Sequence, residues 1–226
     1  MPPPRPTAPS DIVGVILAGG ASRRMGADKR TLPLAGRPLL AHVAARLAPQ
    51  VSALAVALDR ETAARLATGG APDLAAAMPS GATVLTDAFG TREGPLAGVL
   101  AGLRWAAERG APRLLTVPVD TPLLPADIVA RLSAAVMGDE IAVAATGGRV
   151  HHTVALLPSG LADDLAAFLA GDDRRVRSFL ARHTVHTVDI PPLVLAGRGN
   201  DPLQNLNTPA DLAAAEAALS ALPSPP

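Results

Sequence analysis

The chain has 226 residues, and its 20 basic and 20 acidic side chains give a formal net charge of zero at neutral pH. This balance excludes an overall electrostatic field for holding nucleic acid or an anionic membrane, and an aromatic content of 2% excludes a stacking surface for single-stranded bases. The lack of cysteine excludes disulfides, thiolate metal sites and cysteine nucleophiles, and favours a cytoplasmic location.

A hydrophobic content of 49% and a mean hydropathy of +0.29 indicate a folded chain with a large core. We expect one domain over residues 11–222. The proline-rich segment 1–10 lacks the apolar centre of a signal peptide, and we expect it and the segment 223–226 to be disordered tails. No apolar run reaches the ~20 residues of a membrane span, so no membrane partner is expected.

The first predicted element is a strand at 12–17, because this run is apolar, rich in β-branched residues and typical of a strand buried on both faces. A glycine-rich segment follows directly, and its glycines allow backbone N–H groups to converge on an anion. Three cations of the segment supply countercharge for phosphate: Arg23, Arg24 and Lys29. The alternative is a tight turn with surface charges.

This segment differs from two familiar phosphate-binding loops. The ATPase loop G-x-x-x-x-G-K-[ST] does not match, because Gly26 is followed by Ala27 and no adjacent Gly-Lys pair precedes a hydroxyl. The dinucleotide loop G-x-G-x-x-G does not match either, because Ala21 follows two adjacent glycines. Neither class of nucleotide site therefore explains the segment.

The next elements continue the first strand into a right-handed βαβ unit. In chain order they are a helix at 39–47 after Pro38, a strand at 53–58, a helix at 60–67, a loop at 69–81 with at most one helical turn, and a strand at 84–85 that ends at Asp87. A further helix is predicted from Pro95, and its N-terminus after Gly94 would present free N–H groups at the mouth of the sheet. An ordinary helix start explains the same residues.

A fourth strand at 113–117 leads into Asp120, which lies between two prolines. Pro118 and Pro122 restrict the backbone around this carboxylate, at the end of a central strand where ligands of open α/β sheets bind. A carboxylate facing a triphosphate would repel it unless a cation lies between, so we assign Asp120 to Mg²⁺. The alternative is an ordinary turn aspartate.

The second half is predicted to add a hairpin to the sheet. Its elements are a helix at 125–137, strands at 141–145 and 153–157 around a turn at 147–148, helices at 161–169 and 176–181, a final strand at 185–190, a loop at 191–201 and a last helix from Pro209 with Thr208 as its cap. His151 and His152 lie at the entry of the second hairpin strand, and adjacent strand residues face opposite ways. They cannot both ligate one metal from a regular strand, so no zinc site is expected.

Two polar pairs near the C-terminus are further candidates. Arg174 and Arg175 form either a phosphate contact or part of a solvated charge run. Asn205 and Asn207 fall on one face at alternate spacing, and their amides can match the donor and acceptor pattern of a polar ring. The alternative for the asparagines is a capped helix start with solvent-facing amides.

Four motifs in this order resemble those of the nucleotidyltransferases that build molybdenum cofactor dinucleotides, most of all the guanylyltransferases. They are L-A-G-G-x-S-x-R-M-G-x-D-K at 17–29, G-P-L-A-G at 94–98, P-V-D-T-P at 118–122 and N-x-N-T-P at 205–209. The resemblance extends from residue 14 to about residue 219. It implies a three-layer α/β/α, Rossmann-like nucleotide-diphospho-sugar transferase fold with a mostly parallel sheet.

The resemblance also implies a reaction, in which GMP passes from GTP to the terminal phosphate of molybdopterin with Mg²⁺ as cofactor and pyrophosphate as the leaving group. Residues 11–137 would bind the nucleotide and residues 138–222 the molybdopterin. Proteins that deliver or accept molybdopterin are implied as partners. Such chemistry needs positioning and charge neutralisation rather than a protein nucleophile.

The resemblance implies roles for individual residues of these motifs. Catalytic roles are implied for Lys29, Arg24 and Asp120, and Asp120 is the implied metal ligand. Nucleotide contacts are implied for Leu17, Ala18, Gly19, Gly20, Lys29, Asp87, Gly94 and Asp120. Molybdopterin contacts are implied for His151, Arg174, Arg175, Asn205 and Asn207.

The sequence departs from the family pattern at two positions, and two alternative functions remain open. The family often has asparagine where this chain has Ala57, and a proline where it has His152. A cytidylyltransferase or sugar-phosphate nucleotidyltransferase would share the loop and the fold. A nucleotide-binding regulator without catalysis is the alternative of another class, although it would not need both Lys29 and Asp120.

Overall fold

The structure is a computed structural model that describes residues 11–19, 28–86, 94–195 and 198–221. Its strands are β1 (Ile12–Leu17), β2 (Pro33–Leu34), β3 (Arg37–Pro38), β4 (Ala53–Leu58), β5 (Thr83–Thr86), β6 (Arg113–Pro118), β7 (Ile141–Thr146), β8 (Arg149–Pro158), β9 (Val185–Asp189), β10 (Leu193–Leu195) and β11 (Arg198–Asn200). Its α-helices are α1 (Leu39–Leu47), α2 (Arg60–Ala67), α3 (Pro72–Ala77), α4 (Pro95–Glu108), α5 (Ile128–Ser133), α6 (Ala162–Leu169), α7 (Val176–Leu180) and α8 (Pro209–Ala221).

Within these ranges, seven strands form one sheet in the order β5-β4-β1-β6-β8-β7-β9. All neighbouring pairs are parallel except those that include β8, which pairs antiparallel with both β6 and β7. The predicted mostly parallel sheet is therefore confirmed, and the hairpin is inserted so that its second strand lies next to β6. No described helix is long and apolar enough to cross a bilayer.

Apolar side chains alternate between the two faces of the sheet and bury both. On β1, Ile12 and Ile16 belong to one buried cluster with residues of α1 and α5, whereas Val13 and Val15 belong to a second cluster with residues of α4 and α6. Each face is thus covered by helices, as period-two alternation of a doubly buried strand requires. This confirms the predicted three-layer α/β/α fold.

A third, smaller cluster joins two segments that are far apart in the sequence. It contains Leu34, Leu39, Leu206 and Ala215, which come from the segment 28–39 and from the region of α8. A hydrogen bond from the Ala35 backbone N–H to Glu216 Oε1, 2.8 Å long, adds a polar contact at the same place. The C-terminal helix therefore packs against the segment that follows the glycine-rich loop.

Several predicted elements have different bounds in the structure. The helix predicted at 125–137 is shortened to α5, because residues 119–127 make successive turns and Gly138 adopts a φ of 53°. The loop predicted at 69–81 contains α3, which begins at Pro72, and the loop predicted at 191–201 contains the β10–β11 hairpin. The strand at 185–190 is therefore not the last one.

Candidate active site

The candidate site lies where β4, β1 and β6 end. The pairing continues just beyond the strands, since Ala18 N–H donates to the Ala57 carbonyl at 2.9 Å and Val119 N–H donates to the Leu17 carbonyl at 3.1 Å. Three neighbouring carboxyl ends are thereby held at one edge of the sheet. In open α/β sheets this edge is the usual place for ligands.

A small cleft, partly open to solvent, lies between the ends of β1 and β4 and the start of α4. Its lining consists of Leu17, Gly19, Ala57, Leu58, Gly94, Pro95 and Gly98. Gly98 sets the spacing of helix and sheet, because a Cβ there would lie 3.1 Å from Leu17 Cδ2 and 3.3 Å from Ala57 Cβ. Gly94 has a φ of 62°, which suits glycine at the entry to the helix.

At the end of β6, the neighbour of β1 in the sheet, Lys29 joins two distant parts of the chain. Its Nζ donates to Asp120 Oδ2 at 2.8 Å and to Asn207 Oδ1 at 2.7 Å. Only 17% of the Lys29 side chain and 13% of the Asp120 side chain are exposed, so the pair is largely withdrawn from solvent. The structure therefore brings together three predicted site residues that are far apart in sequence.

The backbone around Asn207 is fixed by its neighbours. Leu206 is buried, and its N–H donates to the Asp120 carbonyl at 3.0 Å. Asp211 Oδ2 accepts from the N–H groups of Asn207 and Thr208, both at 2.9 Å, while Thr208 Oγ1 accepts from Asp211 N–H at 3.1 Å. This reciprocal capping box confirms Thr208 as the cap of α8 and fixes the approach of Asn207 to Lys29.

These hydrogen bonds also affect the carboxyl group of Asp211. The N–H of Asn207 is the main cause that lowers the pKa of Asp211, because it donates to the charged form of the carboxyl group. The capping carboxylate is therefore held in its charged state.

The donor set around Asp120 suits Mg²⁺ bound together with phosphates. The described residues contain no group of three or more His, Cys, Asp or Glu side chains that could enclose a metal. A single carboxylate is nevertheless what Mg²⁺ needs in nucleotide sites, since the ion keeps several waters and takes other oxygens from substrate phosphates. Asp120 fits this role. Lys29 contacts its Oδ2.

His151, another predicted residue of the second half, contacts Asp201. His151 is inside β8 rather than at its entry, is 4% exposed, and has its Nε2 3.2 Å from Asp201 Oδ2. Burial lowers the pKa of His151, against the opposing effect of Asp201. This favours a neutral imidazole packed under the segment that leads to Asn207.

The arginine pair lies near the start of α7. Arg174 donates to the carbonyls of Gly171 and Asp173, and Arg175 Nη2 contacts Asp173 Oδ2 at 2.7 Å with 80% of its side chain exposed. The Asn205 carbonyl accepts a 3.4 Å hydrogen bond from Asn207 Nδ2. Gly20, Arg24 and Asp87, which the sequence also indicated, lie outside the described residues.

Sequence reasoning missed Arg30 and Asp59, which form an ion pair beside the cleft with Arg30 Nη1 3.1 Å from Asp59 Oδ2. The available signal was that Arg30 follows Lys29 directly and that Asp59 follows the strand β4. Sequence reasoning also missed that Lys29 is the only lysine of the chain.

Comparisons with known proteins identify the family. A family model described as the MobA-like NTP transferase domain matches residues 14–188. The molybdenum cofactor guanylyltransferase of Rhizobium meliloti (strain 1021) is 46% identical over 207 residues, which cover 90% of this chain and 89% of that protein. The protein of the same name from Cereibacter sphaeroides is 46% identical over 209 residues, covering 92% and 97%.

A solved structure shows the same fold. It is the molybdopterin-guanine dinucleotide biosynthesis protein A from Archaeoglobus fulgidus, which has a TM-score of 0.67 and 21% sequence identity. The match covers 93% of this chain and 100% of that chain. The sheet and its flanking helices are therefore shared over nearly the whole length of both proteins.

Proposed function

The chain belongs to the family of MobA-like NTP transferases and is a nucleotidyltransferase, and from this premise we propose that it transfers GMP from GTP to molybdopterin. The products are molybdopterin guanine dinucleotide and pyrophosphate. The observation that carries the proposal is the contact of Lys29 with both Asp120 and Asn207. This contact joins the turn at 28–31, the end of β6 and the segment before α8 at one point.

The geometry supports two substrate regions around that point as part of this proposal. The cleft at the ends of β1 and β4 is lined by apolar side chains and glycines, which suit a nucleoside and the close approach of backbone to phosphate. The segment 201–207 reaches Lys29 through Asn207, from the side of α8, and carries the amides of Asn205 and Asn207. Molybdopterin would approach from this side, so that its phosphate meets the α-phosphate of GTP near Lys29.

In the reaction, an oxygen of the molybdopterin phosphate forms a bond to the α-phosphorus of GTP, and the bond from that phosphorus to the bridging oxygen of pyrophosphate breaks. The ammonium of Lys29 neutralises charge on the phosphates, and the site contributes mainly positioning. Asp120 would hold the Mg²⁺, which when bound neutralises the triphosphate and orients it. Asp120 keeps Lys29 oriented through the 2.8 Å contact until the substrates arrive.

Guanine is the base that we expect, because the relatives that match over most of the chain are named guanylyltransferases. Guanine presents an exocyclic amine beside its N1–H, a donor pair that cytosine cannot copy. A site that satisfies such a pair discriminates strongly, since the wrong base leaves buried polar groups unpaired.

The test is incubation of the protein with molybdopterin, Mg²⁺ and each of the four nucleoside triphosphates, with pyrophosphate release as the readout. We expect release with GTP and at most a small fraction of that rate with the others. Equal rates with CTP would support the cytidylyltransferase alternative. Binding of GTP without release of pyrophosphate would support the non-catalytic regulator instead.

A further inference from the structure

Arg30 lies next to Lys29 in sequence, but its side chain extends toward the other side of the site. Arg30 Nη1 donates to the Ala18 carbonyl at 3.2 Å and to Asp59 Oδ2 at 3.1 Å, and Arg30 Nε donates to Asp28 Oδ1 at 2.7 Å. Its side chain is 11% exposed. One guanidinium therefore connects the residue that follows β1, the residue that follows β4 and Asp28.

The carboxylate that follows β4 is itself held by two hydrogen bonds. Asp59 caps α2, with its Oδ1 accepting from Thr62 N–H and its Oδ2 accepting from Thr62 Oγ1, both at 2.8 Å. A capping carboxylate held by two further hydrogen bonds has little freedom to move. Arg30 is therefore fixed to a well-defined point on the core rather than to another surface side chain.

The backbone at Arg30 is held as well. Its N–H donates to Asp28 Oδ1 at 3.0 Å, Thr31 N–H donates to the Asp28 carbonyl at 3.1 Å, and the Arg30 carbonyl accepts from Leu40 N–H at 3.2 Å. The turn at 28–31 is thereby attached to the start of α1. With the backbone fixed on both sides, the direction in which Lys29 leaves the chain is also fixed.

The two adjacent cations thus contact the carboxyl ends of three neighbouring strands. Arg30 contacts the ends of β1 and β4, and Lys29 contacts Asp120 at the end of β6. A lysine has four rotatable side-chain bonds and loses much rotamer entropy when it is held in one position. A rigid neighbour reduces that cost, because it leaves only the Lys29 side chain to be ordered.

We propose that Arg30 is a positioning residue for nucleotide transfer, which acts through Lys29 by holding the turn at 28–31 against β1 and β4. It does not touch the substrate itself. The role in transfer rests on the proposed function, whereas the effect on Lys29 is a property of the free protein. The competing account is that Arg30 only stabilises the fold, and the two accounts differ in what happens to Lys29.

Because Lys29 is the only lysine, protein grown with ¹⁵N-labelled lysine has a single side-chain ammonium signal. In the nucleotide-free wild type we expect this signal to be visible, since hydrogen bonds to two oxygens slow proton exchange. In Arg30→Ala it should broaden or move to the position of a free lysine. The matched control is Arg65→Ala, which removes one arginine hydrogen bond to the Gly70 carbonyl near the end of α2 and should leave the signal unchanged.

A double-mutant cycle with GTP then tests whether Arg30 acts through Lys29. We expect Arg30→Ala to raise the Kd for GTP ~10-fold in the wild-type background and less than ~3-fold when Lys29 is already alanine, because coupled residues are not additive. If Arg30→Ala fails to fold, Arg30→Gln is measured in its place, since it keeps an amide donor and the single-lysine label.

Two results would overturn the proposal. One is an unchanged Lys29 signal in a folded Arg30 variant, and the other is the same fold-change in Kd in both backgrounds. Absence of pyrophosphate release by the wild type would count against the proposed function alone, because the ammonium signal needs no nucleotide.

Discussion

Lys29 is the only lysine in a chain whose other basic residues are all arginines. The structure gives a reason why arginine does not replace it. The Nζ of Lys29 lies within 2.8 Å of a carboxylate oxygen and an amide oxygen, in a place where both side chains of the ion pair are mostly shielded from solvent. A compact ammonium fits between these two acceptors, whereas a guanidinium is larger and planar.

We therefore predict that Lys29→Arg does not preserve activity although it preserves charge. The turnover of GTP should fall ~100-fold, equivalent to ~2.7 kcal/mol of lost transition-state stabilisation, because the guanidinium cannot take the place of the ammonium. The measurement is kcat/KM for GTP beside the melting temperature of the variant. Activity within about twofold of wild type would mean that only the charge at this position matters.

A second prediction at this scale concerns Asp120→Asn, which keeps the shape of the side chain and removes its charge. Pyrophosphate release should be lost, because the implied Mg²⁺ ligand is gone, while GTP should still bind through the glycine-rich loop and Lys29. In the absence of Mg²⁺ the variant should bind GTP at least as well as wild type, since a negative charge near the triphosphate has been removed.

The measurements are pyrophosphate release and the Kd for GTP with and without Mg²⁺, for wild type and Asp120→Asn. Should the variant turn over at the wild-type rate with the same Mg²⁺ dependence, Asp120 is an ordinary turn residue and the metal assignment is wrong.

The helix α4 carries a glycine toward the cleft and another toward the core, one turn apart. Gly98→Ala would place a Cβ 3.1 Å from Leu17 Cδ2, at the wall of the cleft, so we predict that the KM for GTP rises several-fold. Gly102→Ala would place a Cβ 2.8 Å from Leu114 Cδ2 in the core, and overpacking of this kind costs ~1–3 kcal/mol of unfolding free energy.

Steady-state kinetics and urea denaturation of both variants test this contrast. Gly102→Ala serves as the control, because it should lower stability and leave the KM unchanged. If the two variants affect the KM equally, the cleft beside Gly98 is not where the nucleotide binds.

The elements that the sequence predicted well are those with a strong apolar pattern. The strands β1 and β4 and the helix α1 match their expected bounds, and α4 begins at Pro95 as expected. The prediction of the helix bounds was wrong at α5. The apolar spacing continues through 125–137, but the backbone around Asp127 and beyond Ser133 forms turns. Short elements such as α3 and the β10–β11 hairpin have too few residues to show a period.

The site was predictable only in part for a similar reason. Motifs identified Lys29, Asp120 and Asn207 separately, but their meeting depends on the packing of α8 against the segment 28–39, which no local pattern reveals. Arg30 carries no motif of its own, and its importance follows from the acceptors around it. The sequence also gave no indication that His151 would be buried beside Asp201.

For the molecule as a whole, buried histidines predict how stability depends on pH. Burial lowers the pKa of His42 below its usual 6.5, although its ring nitrogen contacts the Leu34 carbonyl at 2.7 Å, and Arg37 and Arg46 lower it further. The pKa of His151 is also lowered, chiefly by burial. Below pH 6.5 the unfolded chain therefore binds more protons than the folded chain, so stability falls as the pH decreases.

We predict a lower urea midpoint at pH 5.5 than at pH 7.5, with a smaller difference in His42→Gln, which keeps a donor to the Leu34 carbonyl. Urea unfolding of both proteins at the two pH values is the measurement. A midpoint that rises on acidification would show that the histidines do not control stability in this range.

The packing of α8 against the segment 28–39 has a consequence for biosynthesis. A ribosome releases β1, β4 and β6 long before residues 201–221, so these three neighbouring strands can pair while that later segment is still in the exit tunnel. Lys29 cannot reach Asn207 until that last segment emerges. A nascent chain can thus form this edge of the sheet early, but the set of contacts around Lys29 is completed only after residues 201–221 have emerged.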